Sequence, residues 1–307
     1  MNDFMMFSLV PMTVAIIISM TCALLGNFLV LRRQSLISDA ISHVALPGIV
    51  ASFLLTGAIA STAMMLGAGV SALVTVAMID AIRRFGRVEI SAAMGVTFTS
   101  LFALGVLLLE VSQASGVHID VQHALYGNLE SLIWFEGVGL SSLVDPAALA
   151  TLPPQLARVG VVALVVLVFV VVFRRHLILG SFDSEFAASI RARPALVDLL
   201  LVTMVAVAAI AAFEAVGSII VIAMFICPAA AARLMTNHLG KQLAWSQLFA
   251  LISAVAGYWL AGYGLIALGL DMSLSAAGMI ATVAGLILLL TCLWGPQRRG
   301  RAVLANA

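Results

Sequence analysis

Apolar runs of about 18–24 residues recur along the whole chain, and they leave few folds open. A run of that length matches one α-helical crossing of a bilayer. It is about twice the length of a barrel strand. The chain has 307 residues, 63% hydrophobic and only 9% charged, with a mean hydropathy of +1.19. Soluble domains carry roughly 25% charged residues. The expected fold is therefore an all-α, polytopic membrane helical bundle, with residues 1–307 forming one transmembrane domain. Spans are expected at about 11–31, 36–56, 58–82, 91–110, 156–173, 195–212, 216–234, 243–261 and 272–294, roughly nine in all.

Basic residues set the expected orientation. If Arg32 and Arg33 lie in the cytoplasm and the spans alternate, then Arg83, Arg84, Arg87, Arg174, Arg175, Arg191, Arg193, Arg233, Lys241, Arg298, Arg299 and Arg301 are cytoplasmic too. Arg158 is the exception. This places the N-terminus on the outer side of the membrane and the C-terminus on the inner side. Met1-Asn2-Asp3-Phe4 lacks the basic start of a cleavable signal peptide, so the first apolar run is read as a retained span. Cys22, Cys227 and Cys292 each sit within an apolar run, as buried small hydrophobes do.

Two stretches between spans stand apart. Residues 111–155 form an outer loop, less hydrophobic and broken by Pro153-Pro154; within it, 121–135 has helical spacing and ends on Trp134 and Phe135, as a short interfacial or partly buried helix would. If that helix instead crosses the membrane, the alternation breaks after it. Residues 180–194 read as a cytoplasmic segment. Phe182, Phe186 and Ile190 recur every four residues there, with Asp183 and Glu185 in the first turn, as in a short amphipathic helix.

The strongest chemical signal is Asp39 and His43 at the start of the second run, ahead of Pro47-Gly48. A spacing of four puts both side chains on one helical face. A carboxylate and an imidazole together suit a divalent transition ion, and ionisable groups in a span are costly without a partner. Two readings stand: a metal site, or a capped helix start with an interior histidine. Two ligands do not complete an ion's shell, whereas a symmetric dimer would present four. His118, Asp120 and His123 cluster in the outer loop, and Glu214 lies at an outer junction; these are weaker outer-mouth candidates. Asn27 is expected to hydrogen-bond between helices, Asp198 to meet a helix dipole and Asp271 to cap the ninth span. Pro47 and Pro228 could mark corresponding broken helices of two halves.

The run Leu31-Arg32-Arg33 … Leu36-Ile37-Ser38-Asp39-Ala40-Ile41-Ser42-His43-Val44-Ala45-Leu46-Pro47-Gly48 resembles the signature of the permease subunits of ABC-type zinc/manganese/iron importers, the ABC-3 family. Leu125-Tyr126-Gly127-Asn128, Ser181-Phe182-Asp183 … Glu185-Phe186-Ala187 and Val216-Gly217-Ser218 … Cys227-Pro228-Ala229-Ala230 fit the same family in order. The resemblance implies a type II importer-like permease that works as a dimer with cytoplasmic ABC ATPase subunits and an extracytoplasmic metal-binding protein. It implies Asp39 and His43 as metal ligands. It also implies Phe182, Asp183, Glu185, Phe186 and Ala187 as the segment coupling to the ATPase. No cofactor is expected beyond the transported manganese, zinc or iron.

The chain carries no Gly-x-x-x-x-Gly-Lys-[Ser/Thr] phosphate loop, no His-Glu-x-x-His and no Gly-x-Ser-x-Gly. ATP hydrolysis and membrane proteolysis are thus not expected of it, and no basic surface for nucleic acid is apparent. The rival readings are a stand-alone secondary metal-ion transporter, or a permease for an iron–siderophore chelate.

Overall fold

The computed structural model describes residues 2–56, 61–114, 129–137, 142, 145–182, 194–264 and 274–296. The described residues form helices and connecting turns, with no strand. The elements are α1 (Asn2–Phe7), α2 (Leu9–Leu31), α3 (Leu36–Thr56), α4 (Ser61–Gly86), α5 (Ile90–Ala114), α6 (Pro146–Ala150), α7 (Pro154–Phe182), α8 (Pro194–Val216), α9 (Ser218–Met235), α10 (Leu239–Trp259) and α11 (Ala276–Trp294). Among the described residues, 9 helices are long and apolar enough to cross a membrane.

α2 is the central post. It packs against α7, α8, α9 and α10, and Val14, Ala15, Leu25 and Phe28 on it are wholly buried. α3, α4 and α5 form a second group, joined to the post mainly through α8. α7 is apolar all round, yet Val161, Leu164, Val168, Val171 and Val172 are exposed. In a bilayer that face meets lipid.

Several expected boundaries move. α7 and α4 do not stop at their arginines. α7 runs through Arg174, Arg175 and His176 to Phe182, and α4 through Arg83 and Arg84 to Gly86. Arginine is a good helix former, and its long side chain reaches water without ending the helix. Arg84 also pairs with Asp80 one turn back at 2.9 Å. α4 ends where Arg87 takes the left-handed conformation, φ 52°. α7 opens at Pro154, a residue suited to a first turn.

The outer loop also differs from expectation. Within its described part, Leu129–Ser131 is a single 3-10 turn. Trp134 is buried: its Nε1–H donates to the Ala148 carbonyl at 3.0 Å and to Thr151 Oγ1 at 3.1 Å. With its one polar atom satisfied, the ring packs like a core residue. Phe135 does stay exposed. α11 begins later than expected, with Ser275 as its cap and Glu130 Oε1 accepting from the Ala276 N–H at 2.9 Å. Asp271 lies outside the described residues.

Candidate metal site on the third helix

Asp39 and His43 occupy the first and second turns of α3. Asp39 is already inside the helix, past the cap position, so it is not the capping residue. Ser38 Oγ instead donates to the Ser35 carbonyl at 3.0 Å. The capped-start reading therefore does not account for Asp39.

His43 Nε2 stands 3.5 Å from Asp39 Oδ1. That is longer than a good N–H···O bond of about 2.9 Å. Two ligand bonds of about 2.1 Å meeting at an octahedral or tetrahedral angle put their donor atoms roughly 3.0–3.5 Å apart. The pair is thus spaced to be bridged by one cation. Its side chains are 33% and 40% exposed, for Asp39 and His43 respectively, so an ion has a way in.

α3 is held by its neighbours immediately beyond His43. Gly48 and Gly67 of α4 lie so close that a Cβ on either would stand 2.3 Å from the other's carbonyl oxygen. Two serine bonds flank this crossing: Ser71 Oγ to the Val44 carbonyl and Ser52 Oγ to the Ala63 carbonyl, each 2.7 Å. Gly48-x-x-x-Ser52 and Gly67-x-x-x-Ser71 are small-residue pairs of the kind that lets membrane helices approach. That signal was present in the sequence and bears on the site, because the crossing fixes where α3 can go. Pro47, which cannot donate to the His43 carbonyl, faces Gly105 of α5.

The other charged residues serve as ties between helices. Arg32 pairs with Asp198 of α8, and its Nε–H donates to Ser181 Oγ of α7 at 2.9 Å. Asp198 is therefore an ion-pair partner, beyond the dipole role expected of it. Glu214 Oε1 accepts from Arg158 at 2.5 Å, which joins the start of α7 to the end of α8 and gives Arg158 a counter-charge. Asn27 does bond between helices: Nδ2 donates to Ser246 Oγ at 2.6 Å, and Oδ1 accepts from Gln242 at 3.0 Å. An inner cavity of about 370 Å³ is lined by Gln34, Ile37, Asp80, Arg83, Arg84 and Asp198, without Asp39 or His43.

Of the remaining candidates, Phe182 ends α7 with its ring exposed. Asp183, Glu185, Phe186 and Ala187 lie outside the described residues, as do His118, Asp120 and His123. Among the described residues, no group of 3 or more His, Cys, Asp or Glu side chains gathers as a complete metal site.

Comparison with known proteins gives a consistent result. The family model described as "ABC 3 transport family" matches residues 2–134 and 140–295. The manganese transport system membrane protein MntD of Bacillus subtilis is 34% identical over 281 residues, which cover 92% of this chain and 90% of that protein. The zinc transport system membrane protein TroD of Treponema pallidum is 34% identical, over 92% of this chain and 73% of its own length. Among solved structures, PsaBC from Streptococcus pneumoniae in complex with Fab matches with a TM-score of 0.72 at 27% identity, covering 94% of this chain and 92% of that one.

Proposed function

The chain belongs to the ABC 3 transport family, and from that premise we propose that it is the membrane-spanning permease subunit of an importer for a divalent transition metal ion. The observation that carries this reading is the 3.5 Å separation of His43 Nε2 and Asp39 Oδ1 on an accessible face of α3. One oxygen and one nitrogen donor suit Mn²⁺, Zn²⁺ and Fe²⁺. The names of the relatives favour manganese or zinc.

In this mechanism a binding protein delivers the ion from outside. Asp39 and His43 replace part of its hydration shell. A second copy of the chain supplies the same two ligands, so four donors meet the ion. ATP hydrolysis belongs to separate cytoplasmic subunits. The segment that starts at Phe182 and includes Asp183, Glu185, Phe186 and Ala187 couples their motion to the helices. The ligands need to be few and exchangeable, because a complete shell would hold the ion rather than pass it on. The N-terminus lies outside and the C-terminus in the cytoplasm of a bacterial inner membrane.

Uptake of manganese and zinc by cells expressing the complete transporter tests the site. Asp39→Ala and His43→Ala, each at wild-type membrane level, are expected to lower uptake at sub-saturating metal at least about tenfold, the usual cost of a lost ligand or its support. Normal uptake in both variants would remove Asp39 and His43 from the pathway. Metal accumulation in vesicles that hold this chain alone would overturn the importer reading in favour of a secondary transporter.

A further inference from the structure

His43 does not stand free on α3. Two rings of α5 enclose it. The Phe98 ring stacks on the imidazole, with centroids 5.7 Å apart and an interplanar angle of 24°. The Phe102 ring meets it edge-on, at 5.4 Å and 76°. Both distances lie in the range of favourable aromatic pairs, about 4.5–7 Å. Phe98 and Phe102 are four residues apart, so α5 presents them as one wall. Phe102 is 38% exposed, a position where a phenylalanine in a membrane helix could equally have faced lipid.

A histidine ligand is useful to an ion only if its ring is already turned toward the site. Histidines in metal sites commonly gain this from a hydrogen bond at the second ring nitrogen. Here, stacking on one face and an edge contact together restrict rotation about the side-chain bonds. They leave Nε2 directed at Asp39. They also occupy the side of the imidazole toward α5.

We infer that Phe98 and Phe102 are positioning residues for metal capture, setting the orientation of the His43 ring. This rests on Asp39 and His43 being the ion's ligands. It adds a role for α5, which supplies no ligand itself. Loss of the stack leaves the ligands in place but disordered. The result is weaker capture with little change in the rate of the later steps.

The experiment measures initial uptake of free Mn²⁺, and separately Zn²⁺, against concentration in cells expressing the complete transporter, with membrane levels quantified. Phe98→Ala is expected to raise the half-saturating metal concentration roughly 3- to 10-fold, the share of affinity an aromatic pair can carry, with the maximal rate within about twofold. Phe98→Tyr keeps the ring and is expected to match wild type. Phe98→Leu fills the space without a ring and is expected to follow alanine. In a His43→Ala background, Phe98→Ala is expected to add nothing. If leucine and tyrosine behave alike, or if alanine lowers only the maximal rate, the ring has a packing role and the inference falls. If alanine at Phe98 prevents membrane insertion, the leucine and tyrosine pair still decides. Failure of this inference is separable from failure of the site: His43→Ala impaired with Phe98→Leu normal sinks only the positioning role. His43→Ala normal sinks the site itself.

Discussion

Arg32 carries a permanent charge at the membrane boundary, yet its side chain is only 4% exposed. Burial pushes its pKa below the ordinary arginine value, and the adjacent Asp198 carboxylate pushes it back up. The guanidinium stays charged and acts as a rivet between α2, α7 and α8. Removing one member of such a pair leaves the other without its counter-charge. Asp198→Ala is expected to destabilise the purified protein by about 2–4 kcal/mol, toward the low end because Asp198 is itself 37% exposed. A detergent thermal-unfolding series checks this, and Asp198→Asn should recover part of the loss. Asn27 makes a similar argument with neutral groups. Asn27→Leu removes the partner of the Gln242 amide in a dry environment and leaves Ser246 Oγ only its bond to the Leu243 carbonyl, and is expected to cost about 1–3 kcal/mol in the same assay. A milder loss would mean that Gln242 and Ser246 find each other once Asn27 has gone.

At the scale of the element, α3 is where sequence, packing and chemistry meet. It carries both candidate ligands, and its middle is pressed against α4 at Gly48 and Gly67. Gly67→Ala would drive a methyl group into the Gly48 carbonyl, which is backbone and cannot turn aside. Gly69, two residues along α4, has nothing within 4 Å of its missing Cβ. Gly67→Ala is therefore expected to lower uptake and thermal stability, whereas Gly69→Ala is expected to be neutral or to stabilise by about 0.5–1 kcal/mol, the helix preference for alanine. Equal behaviour of the two variants would mean that α3 and α4 separate freely and that the crossing does not position the site. α5 completes the element, with Phe98 and Phe102 against His43 and Gly105 against Pro47. Three helices thus hold one side-chain pair.

For the whole molecule, the positions of the charged groups follow from what a membrane allows. Arg32 with Asp198 joins the end of α2 to the start of α8, and Arg158 with Glu214 joins the start of α7 to the end of α8. α8 stands between the α2 post and the α3–α5 group, packing on both. With the proposed orientation, Arg87 between α4 and α5 faces the cytoplasm and Leu149 in α6 faces outward. Single cysteines at these positions, in a chain lacking Cys22, Cys227 and Cys292, should therefore label differently. A membrane-impermeant maleimide is expected to reach Leu149→Cys in intact cells and Arg87→Cys only after permeabilisation. The reverse pattern would invert the topology.

Much of this was legible in the sequence because it depends on local composition. The spans follow from run length, since a backbone in lipid must satisfy its own hydrogen bonds. Asp39 and His43 could be paired because four residues make one helical turn. Asn27 could be assigned an interhelical bond because a buried amide needs partners. What tertiary structure decided was the identity of partners far away in the chain. Asp198 looked like a dipole partner until Arg32 was found beside it. Glu214 looked like a mouth residue, and it lies against Arg158. Trp134 lies in a stretch whose sequence fits an interfacial or a partly buried helix, and the fold binds its indole N–H inside the protein. Phe98 and Phe102 were two aromatic residues among many in apolar spans until α5 was seen to close on His43. The sequence by itself determined which segments are long and apolar enough to cross a membrane, and that Asp39 and His43 share one helical face. Their neighbours across helices were settled only by the fold, because hydropathy and periodicity do not specify which face of one helix meets which face of another.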